Sequence, residues 1–151
     1  MNNIAQNKQA ATAWYLLFSV WIIATAATLI SLFLSEIVKL PVCVLCWYQR
    51  IALYPLVIVM PLALFPYDEK IIRYISSLVT FGWLVALYHV LLVAGIIPKS
   101  AQPCVQGIPC SETHINLLGF LNIPLMSLLT FTLIGLLLFI AYLQSSRNNH
   151  E

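Results

Sequence analysis

Four cysteines, Cys43, Cys46, Cys104 and Cys110, stand in two pairs in a chain of 151 residues. An even number of thiols permits disulfides, and four cysteines allow three connectivities, of which local pairing suits the spacing best. A bond between Cys43 and Cys46 would close so small a ring that it restrains little of the unfolded chain. It is a poor staple and a better redox couple. The competing readings are a structural disulfide, or half of a four-cysteine zinc site completed by Cys104 and Cys110. Zinc pairs carry gaps of about two to four residues. The five residues between Cys104 and Cys110 weigh against that site, and no metal is expected.

On a helix, Cys43, Cys46 and Arg50 fall at i, i+3 and i+7, along one stripe. A helix beginning near Pro41 or Val42 would bring both sulfurs close to unpaired backbone N–H groups and the positive helix end, which favour thiolate. Arg50 would then add a permanent positive charge one turn below Cys46. Its competing reading is an interfacial side chain that snorkels to water. His89 lies nine residues before Pro98, so on a helix it is roughly 13 Å from that end. An ionisable group at such depth faces the interior, either as part of a site or hydrogen-bonded to a neighbouring helix. His114 and His150 fall near or beyond the ends of the apolar stretches and read as solvated.

The elements that position these residues follow from composition. Apolar residues make up 62% of the chain and charged ones 8%, against about 25% charged in soluble domains. This excludes an ordinary soluble fold, which could not cover its outside, and also excludes disorder. A net charge of +2 without a basic cluster gives no footprint for nucleic acid. Uncharged stretches run from Gln9 to Ser35, Ile51 to Tyr67, Tyr74 to Pro98 and Thr113 to Ser146. A bilayer core needs about 20 apolar residues of helix. The second stretch is short alone, but Val42 to Tyr48 extends it. Ala24-Thr25-Ala26 resembles a signal-peptidase site, yet the apolar run continues to Leu34, so the first span reads as a retained helix. With no internal repeat, residues 1–151 read as a single all-α domain, an integral membrane four-helix bundle with two short external loops.

Four spans place both termini and the Asp68 to Arg73 turn on one side, with all four cysteines on the other. Lys8, Lys70, Arg73 and Arg147 stand on the terminal side against Lys39, Arg50 and Lys99. The positive-inside rule therefore puts the termini in the cytoplasm and the cysteine loops outside, in a plasma membrane whose outer face is oxidising. Trp47, Tyr48, Tyr54, Tyr67 and Tyr74 read as an aromatic belt, and Trp14, Trp21 and Trp83 as packing or lipid-facing residues. Pro55 and Pro61 are expected to kink the second span and open space near Cys46. Pro103-Cys104-Val105-Gln106-Gly107-Ile108-Pro109-Cys110 reads as an external loop within reach of another protein's thiol. The two pairs then form a relay in which electrons enter at the loop and leave at the bilayer. There is no CxxCH haem site, nucleotide-binding glycine pattern or metal motif, so the acceptor is expected from the bilayer, and a lipid quinone fits.

Cys43-Val44-Leu45-Cys46-Trp47-Tyr48-Gln49-Arg50 at the start of the second span resembles the signature of DsbB-type thiol:quinone oxidoreductases. The short Cys104 to Cys110 loop resembles their BdbC branch in Gram-positive bacteria. The likeness extends to the order of spans and to Gly119-Phe120-Leu121-Asn122-Ile123-Pro124 before the fourth. It implies that Cys104 and Cys110 oxidise a thioredoxin-like partner of the DsbA/BdbD kind, and that Cys43 and Cys46 reoxidise them. It further implies that Cys46 reacts with quinone, menaquinone or ubiquinone, with Arg50 beside the quinone head and His89 in the quinone site. Two departures stand out. Gln49 occupies a position that is acidic in some members, and the second external loop is far shorter than in the proteobacterial branch. A quinone-epoxide reductase-like protein would carry its CxxC on the last helix instead. The alternative of another class is a structural four-span protein stapled by two disulfides.

Overall fold

The computed structural model describes residues 2–40, 42–65, 71–98, 116–117 and 121–148. Cys104, Cys110 and the loop around them lie outside the described residues, as do Tyr67, His114 and His150. Helix α1 covers Asn2–Leu32 and runs on into a π-helical turn at Phe33–Ile37; α2 is Val44–Leu64, α3 is Ile71–Val93 and α4 is Ile123–Asn148. Stretches of 27, 19, 23 and 23 residues in these four helices are long and apolar enough to cross a membrane. The shortest is about 28 Å long at 1.5 Å per residue, close to the hydrocarbon thickness of a bilayer.

Helix α1 passes without interruption through Ala24-Thr25-Ala26, and Ala24 is fully buried against the other helices. At its far end the Val38 N–H reaches the Phe33 carbonyl and the Leu40 N–H the Leu34 carbonyl, with Lys39 in the left-handed region at φ 55°. Helix α2 starts at Val44, not at Pro41 or Val42, because Cys43 keeps an extended backbone and acts as N-cap. Its sulfur accepts the Cys46 N–H, one of the first-turn donors that would otherwise be unpaired.

Helix α2 continues through both internal prolines. Pro61 has no N–H to give the Val57 carbonyl four residues back. The Trp21 indole N–H of α1 donates to that carbonyl at 3.1 Å. Helix α3 ends in a glycine cap: Gly95, at φ 75°, donates to the Leu92 carbonyl and Ile96 to the Leu91 carbonyl, the Schellman arrangement. Strands β1 (Asn116–Leu117) and β2 (Leu121–Asn122) form a small antiparallel pair before α4, an element too short to leave a period in the sequence. Pro124 sits in the first turn of α4, where its missing N–H costs nothing.

Each helix packs on its neighbours in sequence, and α4 closes the ring on α1. The core is drawn from all four: Leu17 and Val20, Leu56 and Met60, Ile72 and Val79, Phe131 and Ile134. Gly82 marks the closest approach. A β-carbon there would collide with the Phe131 ring and lie 2.9 Å from the Ala52 β-carbon. Small residues let apolar helices meet where water supplies no driving force between them. Leu29, Ile58, Leu62, Ile96 and Phe139 point outward and are largely exposed, as lipid-facing positions must be.

Candidate active site

The end of the bundle where α1 gives way to α2 and α3 finishes carries a second buried cluster. Cys43, Leu45 and Leu92 form it, with Cys46, Val85, Tyr88 and Ile97 packed alongside. The N-cap position of Cys43 and the first-turn position of Cys46 bring their sulfurs to 2.9 Å, as free thiols. His89 enters from α3, 3% exposed, with Nε2 3.8 Å from Cys43 Sγ. Gln49, also buried, has its amide nitrogen 3.3 Å from His89 Nδ1. With that amide donating to Nδ1, the ring proton sits on Nε2 and points at the sulfur. Turning the amide over moves the proton to Nδ1 and leaves Nε2 to accept from the Cys43 S–H.

Donors therefore converge on Cys43. The Cys46 thiol hydrogen-bonded to it, assisted by His89 and the Cys46 backbone N–H, holds the Cys43 thiol well below the ordinary thiol range, against the opposing effect of burial. Helix position alone treats the two sulfurs alike; the cap bond and the neighbouring helix make them unequal.

Arg50 lies on the expected stripe and is only 8% exposed, so it does not snorkel to water. Its guanidinium turns toward α1, with Nε donating to Ser31 Oγ at 3.0 Å and Nη2 to the Ser31 carbonyl at 2.9 Å. The Trp47 ring stands 5.4 Å from its central carbon. No ion pair holds Arg50 among the described residues. Trp47 and Ile51 beside it are exposed. A partly exposed thiol, a forked cationic donor and an exposed indole fit a flat acceptor with carbonyl oxygens arriving from the bilayer.

Of the residues singled out by sequence, Cys43, Cys46, Arg50 and His89 thus meet at one end of the bundle, and Cys104 and Cys110 lie outside the described residues. Ser31 and the contact role of Gln49 escaped sequence reasoning. Gln49 carried a usable signal, three residues after Cys46 and on the same face. Ser31 carried none, since its role depends on where α1 meets α2. Tyr54 departs from the aromatic belt: it packs against the core and its hydroxyl is buried with no partner among the described residues. Trp47, Tyr48 and Tyr74 are exposed as belt residues should be.

Four membrane-crossing helices holding a CxxC dithiol at one end define a membrane thiol oxidoreductase. The family described as disulfide bond formation protein DsbB matches residues 11–141, and the chain belongs to it. A "probable disulfide formation protein C 2" of Bacillus cereus is 39% identical over 131 residues, covering 87% of this chain and 91% of that one. "Disulfide bond formation protein C" of Bacillus subtilis is 41% identical over 120 residues, covering 78% and 86%. A "probable disulfide formation protein" of Metapseudomonas resinovorans is 38% identical over 128 residues, covering 84% and 89%. No solved structure matches the chain at a significant level. The protein is a multi-pass membrane protein of disulfide bond formation, with the oxidoreductase chemistry that role entails.

Proposed function

We propose that the protein reoxidises a thioredoxin-like dithiol oxidase outside the cytoplasmic membrane and passes the electrons to membrane quinone, so that exported proteins acquire disulfides. The whole chain acts as one transmembrane unit with its termini in the cytoplasm. The observation that carries the reading is the Cys43–Cys46 pair, at 2.9 Å, at one end of the bundle, with buried His89 against Cys43 and buried Arg50 one turn further along α2.

A partner thiolate attacks the Cys104–Cys110 disulfide, and the mixed disulfide resolves as the partner leaves oxidised. The loop dithiol then reduces a Cys43–Cys46 disulfide in the same way and is itself reoxidised. Closing Cys43–Cys46 again releases two electrons and two thiol protons. Quinone, when bound, supplies the two-electron, two-proton sink. His89 Nε2 holds or takes the proton at Cys43 Sγ, and Gln49 fixes the ring in either tautomer. Arg50, braced by Ser31 and faced by Trp47, would hold a carbonyl oxygen of the acceptor. Ubiquinone and menaquinone both suit this donor set.

Anaerobic mixing of the detergent-purified protein with a reduced thioredoxin-like partner and a soluble quinone analogue tests the reading through quinone absorbance. Quinone is expected to disappear, and to persist in the Cys46→Ser and Cys104→Ser variants. Persistence in the unaltered protein with several reduced partners, together with disulfides that resist mild reductant, would leave the structural four-span protein as the better account.

A further inference from the structure

We propose that the reduced site is also a binding site for a thiophilic divalent cation of the zinc and cadmium class, held by Cys43 Sγ, Cys46 Sγ and His89 Nε2. The proposal rests on the redox reading of the same thiols, because only their reduced form offers ligands. The three ligand atoms lie within 4.8 Å of one another. Metal–sulfur bonds of about 2.3 Å and metal–nitrogen bonds of about 2.0–2.1 Å put tetrahedral ligands roughly 3.5–3.8 Å apart. Cys43 Sγ and His89 Nε2, at 3.8 Å, already stand at that spacing. The sulfurs, at 2.9 Å, must separate by under about 1 Å, which rotation of the Cys46 side chain supplies.

Charge favours these three ligands over a four-cysteine set. Two thiolates and a divalent cation sum to zero, so a buried complex carries no net charge to desolvate. Four thiolates would leave an excess of two negative charges. The site needs neither loop cysteine, and the Cys104–Cys110 gap that disfavours a four-cysteine zinc site is irrelevant to it. Gln49 completes the arrangement as the partner of the other ring nitrogen: with Nε2 on the metal, Nδ1 bears the proton and the Gln49 amide oxygen accepts it. Cys46 is half-buried, so the site is not sealed on its side.

Binding transfers no electrons. Each sulfur that still carries a proton loses it to solvent, two metal–sulfur bonds form, and both sulfurs remain reduced. The Cys43–Cys46 disulfide cannot close until the cation leaves, so the cation competes with turnover at the reduced stage alone.

The test uses the full chain in detergent, reduced and kept anaerobic, in a Cys104→Ser, Cys110→Ser background that leaves two thiols. Cadmium is added while the sulfur-to-cadmium ultraviolet band and proton release are followed. One cadmium per chain is expected, with release of the protons that the two sulfurs still carry at the working pH. The His89→Gln variant should bind at least about tenfold more weakly, and Gln49→Leu roughly tenfold. Each single Cys→Ser variant should lose the two-sulfur band, and protein oxidised at Cys43–Cys46 should show none. Unchanged affinity in His89→Gln, in a variant that still closes its disulfide with a chemical oxidant, would overturn the three-ligand site; so would absence of the band in the two-thiol background. Quinone turnover of metal-free protein with all four cysteines is measured in parallel. Turnover without cadmium binding defeats this site alone, and cadmium binding without turnover defeats the quinone reading alone.

Discussion

The two thiols of the pair meet different neighbours. Cys43 receives the cap bond, the Cys46 thiol and His89, so its thiolate is favoured. A thiol whose pKa is lowered in the fold contributes stability that is complete above the ordinary thiol pKa and is lost as pH falls through the depressed value. In the two-thiol background, one thiolate should therefore persist in the ultraviolet spectrum at neutral pH and disappear only on acidification, and His89→Phe should move that titration upward. Titration of both thiols near the free-cysteine value of about 8.5 would contradict the assignment. Arg50 makes a different prediction. Arg50→Ala removes the donors aimed at Ser31 and leaves that carbonyl to water or nothing, a loss on the order of 1–3 kcal/mol. Quinone use should suffer more: KM for a quinone analogue should rise at least about tenfold, by analogy with the loss of one charged hydrogen bond. An unchanged KM would remove Arg50 from the acceptor site. Arg50→Lys should not rescue it, because an ammonium cannot reproduce the fork that holds both Ser31 oxygens.

At the scale of elements, the four spans were legible because charge exclusion and length are strong signals, whereas the details of the helix ends were not. The α2 start moves to Val44 because a cysteine serves as cap, a role that Ser, Thr, Asp and Asn ordinarily mark. Prolines in α2 announce a broken hydrogen bond, but the sequence does not say what repairs it. The repair at Pro61 is Trp21, a residue that composition assigns only to packing or lipid. This pairing makes a cycle of variants informative. Trp21→Phe keeps the ring and removes the N–H, so it should lower stability by roughly 0.6–1.7 kcal/mol, the range of hydrogen bonds between membrane helices. With Pro61→Ala also present, residue 61 has its own N–H for the Val57 carbonyl, and Trp21→Phe should then cost little. Unfolding of the four proteins in detergent by denaturant reads the coupling; equal costs of Trp21→Phe in both backgrounds would show that the indole contributes by packing alone.

For the whole molecule, the site depends on a register that no local pattern encodes. Cys43, Cys46, Gln49 and Arg50 come from one helix and its cap, His89 from another and Ser31 from a third, so the stripe of Cys43, Cys46 and Arg50 contains only half of these six residues. Helix α3 delivers His89 to Cys43 because it lies close to α2 and α4 at Gly82, about 10 Å along its axis from the histidine. The Phe131 ring and the Ala52 side chain occupy the space where a side chain at position 82 would go. Gly82→Ala should therefore force α3 outward or displace Phe131, destabilising the bundle by about 1–3 kcal/mol as overpacking does. The same displacement should loosen the His89 contact and raise the pH at which the Cys43 thiolate is lost, although residue 82 touches no sulfur. Phe131→Leu in the Gly82→Ala chain makes room without changing the dithiol, and should recover part of the lost stability and most of the thiolate titration. Thermal unfolding and ultraviolet titration of the three variants separate these effects. A Gly82→Ala protein with lowered Tm but an unshifted thiolate would mean that the site end of α3 is held independently of the waist of the bundle.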